Sequence, residues 1–305
     1  MSPFYLLLDK IDIQAANAVS GPLSYGFPAL SAFLGAVHAL NRRLPEPANI
    51  RFGGVLIAAH DCQVKHFRAH PFADAYFNQS RHPLKKDGSV GAIIEEGKVD
   101  LTVSLLIEVF TADEDSYETL NDQTSAAQWC THIKPLLLQQ RIAGGSVFDV
   151  AEVRLLPSHN KQEMVQALVP AFVLMNAEQA LIEITKELQK THPDATALNA
   201  LIETATLHHL PPDKGEDEWR TRSVKSGRGW LVPLPIGYQG IAPSLPAGSL
   251  KNCRSEDYPA HYVETVYSLG QWIFPYRLPA ELEGCFWRYA PVQNDLYLIT
   301  QSTQP

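Results

Sequence analysis

The sequence predicts an α+β protein. Three observations carry the prediction: a nearly continuous apolar run near the N-terminus, apolar residues at helical spacing soon after it, and an alternating stretch near residue 100. Residues 4–13 form an almost continuous apolar run with β-formers, which fits a buried first strand. Residues 17–25, which contain Gly21-Pro22, read as a loop. Pro28 suits the first turn of a helix, and Leu30, Phe33, Leu34, Val37, Leu40 and Leu44 follow at helical spacing. Pro45 and Pro47 are expected to end that helix. Its opposite face carries His38 and Arg42, four apart, with Arg43 beside them.

Residues 50–59 predict a second strand. A long excursion follows over 60–97, rich in histidine, aromatic and basic residues, with the turn signal Lys86-Asp87-Gly88. In 99–110, Leu101, Val103, Leu105 and Ile107 line one face of a third strand. An acidic loop around Asp113-Glu114-Asp115 leads to a helix over 124–141, expected to bend at Pro135. A Gly-Gly turn and a fourth strand, 147–156, complete this half.

The order is β-α-β-β-α-β, that of a ferredoxin-like (RRM-type) domain, here over residues 1–157. Its thumb-like insertion at 60–97 is long for the fold, and loops of that length in compact domains are usually functional. Residues 158–305 read as a less regular α+β C-terminal region. Asn176-Ala177-Glu178-Gln179 looks like a capping box opening a helix to about residue 190, and Asp194 is expected to cap another over 195–207. Residues 211–228 read as a polar loop, and short strands with one helix near 262–274 fill the remainder.

With 45% hydrophobic and 19% charged residues in 305, the chain is expected to fold as one large domain or two ordinary ones. No run of apolar residues is long enough for a membrane span, and the N-terminus lacks the basic flank of a signal peptide. The expectation is a cytoplasmic protein with no membrane association. Cys62, Cys130, Cys253 and Cys285 are scattered without a C-x-x-C pair, and read as reduced buried thiols. The net charge of −8 argues against non-specific nucleic-acid binding, but charge is unevenly placed. Residues 60–86 hold five Lys or Arg and four His against two Asp, whereas 87–125 hold ten acids against Lys98 alone. One basic stripe on an acidic chain can hold RNA in one place and stay off it elsewhere.

Nucleic-acid binding is therefore the leading reading. Arg81, His82, Lys85 and Lys86 lie near the tip of the insertion, where packing has no use for charge, with Tyr76, Phe77 and Asn78 nearby as stacking and hydrogen-bonding groups. The run Arg141-Ile142-Ala143-Gly144-Gly145-Ser146 joins a fixed cation to two glycines that let a backbone come close, although glycine is also the commonest way to stop a helix. The expected third strand has no stacking aromatics between Asp100 and Val109, so RNA would use loops and the insertion, not the sheet face. A metal-independent RNA endonuclease is the alternative, with His60, His66, His70 and His82, Tyr25 or Tyr76, and Lys85 as acid, base and charge stabiliser. Metal binding by His66 and His70 or by His208-His209 lacks a Cys partner or an H-E-x-x-H frame. No cofactor motif is present. Trp230, Trp272, Phe274, Trp287 and Tyr289 read as core, some as a protein interface.

Motifs spread along the chain carry a more specific resemblance. They are Asn17-Ala18-Val19-Ser20, Gly26-Phe27-Pro28, and Phe33-Leu34-Gly35-Ala36-Val37-His38-Ala39-Leu40 with Arg42-Arg43. In the middle stand Arg81-His82-Pro83-Leu84-Lys85-Lys86-Asp87-Gly88-Ser89, Ile94-Glu95-Glu96-Gly97 and the run from Arg141 to Ser146. Gly229-Trp230-Leu231-Val232-Pro233, Gly237-Tyr238, Val263-Glu264 and Leu269-Gly270 follow. In this order they resemble the family of second Csy proteins, the Cas-five-type subunits of the type I-F CRISPR surveillance complex. The resemblance implies a ferredoxin-like domain with a thumb, here 60–97, and a glycine-rich loop, here Ala143 to Ser146. It implies a subunit that grips the 5′ handle of the CRISPR RNA, pairs with the large Csy subunit as a heterodimer at the foot of the complex, and contacts the first backbone subunit. Target DNA would be met only indirectly. Relatives in another subtype process the CRISPR RNA themselves, whereas in type I-F a separate endonuclease does so, which implies no catalytic residues here. The residues expected to hold RNA are Asn17, His38, Arg42, Arg81, His82, Lys85, Lys86, Arg141, Gly144 and Gly145.

Overall fold

The computed structural model describes residues 3–44, 49–212, 218–253 and 255–301. The chain forms two compact units. The first ends at Leu174 and takes back Ile273–Phe286; the second holds Met175–Trp272 and a segment beginning at Trp287. The architecture is α+β with antiparallel sheet throughout.

In the first unit, β1 (Phe4–Asn17) leads into a small ribbon, β2 (Val19–Gly21) and β3 (Ser24–Tyr25), and then α1 (Leu30–Asn41). Next come β4 (Ile50–Arg68), β5 (Ala75–Phe77), β6 (Gln79–Arg81), β7 (Ile93–Glu95) and β8 (Lys98–Thr111). α2 (Glu114–Asn121), α3 (Gln123–Leu138), β9 (Arg141–Ile142), β10 (Gly145–Pro157), α4 (Lys161–Leu168) and β11 (Phe172–Asn176) follow. The strands run in the order β11-β4-β8-β1-β10-β9. At the centre, every residue from Phe4 to Leu8 and from Val103 to Val109 is buried, so this part of the sheet is covered on both faces. α1 packs on β4 through Phe33, Leu34, Val37 and Leu40, and α3 packs on β10 through Trp129, Ile133 and Leu137.

Several boundaries differ from the sequence reading. The acidic segment 113–115 opens α2: Asp113 caps it by accepting from the Ser116 N–H at 2.7 Å, and Glu114 and Asp115 sit in the first turn, where the helix dipole favours acids. α1 ends at Asn41; Pro45 and Pro47 lie outside the described residues. β4 continues to Arg68 despite its charge, because Asp61 to Lys65 still pair with Thr102 to Lys98 of β8. The thumb is thus rooted in two core strands that outrun the covered sheet.

That exit is marked chemically. β1 has a register shift between Leu8 and Ile11, with Lys10 at φ 45°, and β4 has one between Ala59 and Asp61. Between them Ser104, fully buried, donates to Asp9 at 2.7 Å, accepts from the Lys10 N–H at 3.0 Å and lies 2.8 Å from His60 Nε2. Burial, more than the opposing pull of Asp9, lowers the His60 pKa. This histidine sits at the root of the thumb, bonded to the buried Ser104.

The second unit contains α5 (Glu178–Gln189), α6 (Ala197–Ala205), β12 (His208–Leu210), β13 (Arg220–Arg222), β14 (Trp230–Gly240), β15 (Val263–Ile273), β16 (Arg288–Tyr289) and β17 (Leu296–Thr300). Its sheet runs β16-β17-β14-β15, and Leu181, Ile184, Ala200, Leu201, Leu231 and Leu269 form its core. The helix expected near 262–274 is the strand β15: Val263, Thr265, Val266 and Tyr267 are β-formers, and the segment pairs with β14 from Gly240↔Val263 to Trp230↔Trp272. Asn176 does accept from the Glu178 N–H at 3.1 Å, but the reciprocal capping box lies at Thr196 and Asn199, not at 176–179, and Asp194 is no cap. The expected loop at 211–228 includes β13, paired with β12; residues 213–217 lie outside the described ones. Of the cysteines, Cys130 and Cys285 are buried, but Cys62 is exposed and Cys253 half-buried, and none is in a disulfide. Of the aromatics read as core, Trp287 is fully buried, whereas Trp230 and Tyr289 are more than half exposed. Among the described residues no helix is long and apolar enough to cross a membrane.

Candidate nucleic-acid interface

Four segments supply the residues expected to hold RNA, and three of them converge. The Asn17 N–H donates to the Ala143 carbonyl at 2.8 Å, and the Ala18 N–H donates to the Gly97 carbonyl at 2.8 Å. The end of β1, the β9–β10 connection and the root of the thumb therefore meet at one end of the sheet. Asn17 is exposed, and its side chain closes an Asx turn with Val19, accepting from its N–H at 3.1 Å and donating to its carbonyl at 3.0 Å.

The run Arg141-to-Ser146 is a β-hairpin. Ile142 pairs with Gly145 and Arg141 with Ser146, leaving Ala143 and Gly144 as a two-residue turn with φ 52° and 75°, as such hairpin turns require. The glycines do not stop the helix: α3 ends at Leu138 with Gln139 as its cap. The two glycines also differ in role. Gly144 is exposed, with open space where a Cβ would be. Gly145 is buried; a Cβ there would lie 2.7 Å from Ala16 N and 2.8 Å from Gln14 O, so the residue lets β10 come against β1 and is not a contact surface. Arg141 is exposed.

α1 brings the third segment. It packs beside β9, and Arg43 donates to the Gln139 side chain at 2.7 Å. Gly35, His38 and Arg42 form the exposed stripe of this helix. His38, Arg42 and Arg141 thus lie on neighbouring elements at one edge of the unit.

The thumb is the fourth segment. β5 folds back on the end of β4, pairing His66 with Phe77 and Phe67 with Tyr76. β6 and β7 pair next, Arg81 with Ile93, and the tip turns tightly: Lys85 N–H donates to Ser89 O at 3.0 Å and Gly88 N–H to Lys85 O at 2.9 Å. Arg81, His82, Lys85 and Lys86 are all exposed there. Of the proposed stacking groups, Tyr76 is exposed, but Phe77 faces inward, edge-on to Tyr25 at 5.3 Å. Phe72, 96% exposed at the β4–β5 turn, was not picked out by sequence reading; the signal was Pro71-Phe72 set in a polar turn.

Electrostatics separates these cations from their neighbours. Lys65 pairs with Asp100 at 2.9 Å, Lys98 with Glu96 at 3.3 Å, Lys134 with Asp149 at 3.2 Å, and Arg154 with Glu163 at 2.9 Å. Among the described residues Arg42, Arg81, Lys85, Lys86 and Arg141 form no ion pair. Glu96, at the root of the thumb, is occupied: the Ser80 hydroxyl and then Lys98 hold its carboxyl below the usual range, while Asp87 in the tip turn accepts from the Ser89 N–H at 2.9 Å. The open face beside the thumb is lined by Asp12 and Asp61, which flank Thr102 in the register, so it repels phosphate.

Of the histidines of the endonuclease alternative, His60 and His66 do not converge. His60 bonds Ser104, His66 lies 3.0 Å from the Val64 carbonyl, and six residues of extended β4 put the two about 20 Å apart. Of the other histidine pair, His208 bonds Glu203 at 2.7 Å. No three His, Cys, Asp or Glu side chains among the described residues are grouped to hold a metal ion.

The fold defines a class of protein: an antiparallel sheet domain with an inserted hairpin, whose tip, like β9 and the end of α1, carries cations that form no ion pair among the described residues. The comparisons give the family. Residues 6–299 match the model for the CRISPR-associated protein family Cas_Csy2, and the chain is 32% identical to the CRISPR-associated protein Csy2 of Pseudomonas aeruginosa (strain UCBPP-PA14), across 96% of this chain and 93% of that one. The chain belongs to the CRISPR-associated Csy2 family.

Proposed function

We propose that this chain is a non-catalytic subunit of a type I-F CRISPR RNA-guided surveillance complex that grips the 5′ handle of the CRISPR RNA. In that role it pairs with the large Csy subunit, contacts the first backbone subunit, meets target DNA only through the guide, and works in the cytoplasm. Family membership supports the assembly role. The ferredoxin-like reading is supported by the strand order β10-β1-β8-β4 with α1 and α3 as the connections.

The observation that carries the RNA reading is the set of cations without ion pairs on the thumb tip, β9 and α1. A phosphate can take such a side chain without breaking an existing pair. Arg141 and the exposed backbone of Gly144 would meet the handle directly, while Gly145 shapes the hairpin that presents them. Lys85, Lys86 and Arg81 would close over it from the thumb, and Asn17, His38 and Arg42 would line the near side.

The test is recovery of guide RNA with the purified complex. Arg141→Ala, or reversal of Lys85 and Lys86 to Glu, should lower handle-RNA affinity; unchanged recovery and affinity would refute the site. Incubating the chain with repeat RNA in the absence of metal checks the catalytic alternative: no cleavage is expected, and specific cleavage abolished by His82→Ala would establish an endonuclease.

A further inference from the structure

The far end of β1 is bent by a bulge. Ile13 pairs with Leu101 of β8 and Ala16 with Val99, so Gln14 and Ala15 together stand opposite Asp100 alone. Ala15 has φ 54°, a conformation that alanine seldom adopts. Its N–H bonds a side chain instead of the ladder: one oxygen of the Asp100 carboxylate accepts from it at 2.8 Å, and the other oxygen pairs with Lys65 of β4 at 2.9 Å. The thumb springs from β4 and β8. Asp100 thus stands on one root of the thumb, reaches the other through Lys65, and holds β1 at its bulge.

The bulge carries the rest of the interface. Gly145 leaves no room for a Cβ against Gln14 or Ala16, the residues on either side of Ala15, so a change in the bulge must displace the β9–β10 hairpin. Just beyond, the Asn17 N–H donates to Ala143 in the hairpin turn, and the Ala18 N–H donates to Gly97 where the thumb returns. Both bonds depend on the direction in which β1 leaves the bulge. Strand side chains alternate, so losing the extra residue would turn Ala16, now buried, outward and Asn17, now exposed, inward. Bulges re-aim a strand in this way beside functional sites.

We propose that Asp100 is a positioning residue of the RNA interface: by holding the Ala15 bulge it sets the Arg141-to-Ser146 hairpin at the distance and angle from the thumb at which cations on both meet one strand of RNA. Asp100 touches no RNA itself, since a carboxylate repels phosphate and both its oxygens are engaged. The Ala15 bond does the positioning and the Lys65 pair does not, because that pair joins only β4 to β8, which already share a ladder there. The affinity half of the inference rests on the RNA-binding reading; the geometric half does not.

The test compares three variants of the full chain. Asp100→Ala removes both bonds, Asp100→Asn keeps an oxygen that can accept from Ala15, and Lys65→Ala removes only the ion pair. Amide exchange is first followed residue by residue without RNA. Asp100→Ala should speed exchange at Asn17 and Ala18 about fivefold or more, while Asp100→Asn and Lys65→Ala match the parent. In the reconstituted complex, Asp100→Ala should weaken handle-RNA binding about tenfold, and Asp100→Asn should restore it. Unchanged exchange at Asn17 and Ala18, or equal losses in all three variants, would overturn the proposal. So would full affinity of Asp100→Ala where Arg141→Ala binds weakly. If Arg141→Ala and the reversal of Lys85 and Lys86 also keep full affinity, the RNA-binding reading fails, and the exchange result alone decides whether Asp100 positions the hairpin.

Discussion

The framework of the first unit and its thumb use the same basic residues to opposite ends. On the framework, Lys65, Lys98, Lys134 and Arg154 each lie within 3.3 Å of a carboxylate. On the thumb tip, β9 and α1, Arg81, Lys85, Lys86, Arg141 and Arg42 have none among the described residues. The difference teaches that net charge is a poor guide to what this chain binds. A chain of charge −8 can hold a polyanion if cations free of carboxylates stand where the polyanion lies, whatever the balance elsewhere.

The comparison can be broken or sharpened in steps. The largest effect should come from the covered sheet. Leu106→Ala removes a fully buried side chain and should cost about 2–5 kcal/mol of stability, read by denaturant unfolding, while the folded fraction keeps its RNA affinity. Gly145→Val should follow at about 1–3 kcal/mol, because the new Cβ meets β1 backbone that has no room to give, whereas Gly144→Ala faces only the strain of positive φ, about 1 kcal/mol. Melting curves of the two variants should separate neighbouring glycines that look alike in sequence.

Smaller effects should divide the cations. Arg141→Ala is expected to weaken handle binding by about tenfold, near 1.4 kcal/mol, with no change in unfolding midpoint. Lys65→Ala should leave RNA affinity unchanged and lower stability by only about 0–1 kcal/mol, since its pair with Asp100 is more than a third exposed. That pair also sets a pH dependence. Burial resists ionisation of Asp100, but the Ala15 N–H and Lys65 outweigh it and hold the carboxyl below its usual range. A carboxyl lowered by folding stabilises above its unfolded pKa, and that increment is lost as pH falls through the folded value. Lys65→Ala should therefore differ from the parent at neutral pH and converge with it on acidification below about pH 4.

Much of this was legible in the sequence, for physical reasons that also explain the misses. Phe4 to Leu8 announced itself because a strand covered on both faces must be apolar throughout, whereas Val103 to Val109 was read from alternation with one apolar face, and the burial of Ser104, Leu106 and Glu108 shows that its other face is covered too. The Lys86-Asp87-Gly88 turn and the basic tip were readable from turn chemistry and exposed charge. β4 beyond Ala59 was not, since its residues are polar and only the pairing with β8 makes them strand. β15 was taken for a helix because its apolar residues fit either period until β14 supplies a partner. The Arg141-to-Ser146 run was located correctly but misread locally: Ala143 at φ 52°, a conformation alanine seldom adopts, turned a helix stop into a hairpin. The pairing state of each cation, on which the functional reading depends, was invisible, because Lys65 and Asp100 are brought together only by the β4–β8 register.

The central claim is that the free cations, not the paired ones, hold the RNA. The most direct measurement is handle-RNA affinity of the reconstituted complex as a function of salt, for the parent chain and for Lys85→Glu with Lys86→Glu. Loss of two phosphate contacts should lower affinity and flatten the slope of log K against log salt by about 1.4, at roughly 0.7 per contact for a single strand. An unchanged slope and affinity, with a fall instead in a variant of Lys65 and Lys98, would contradict the account.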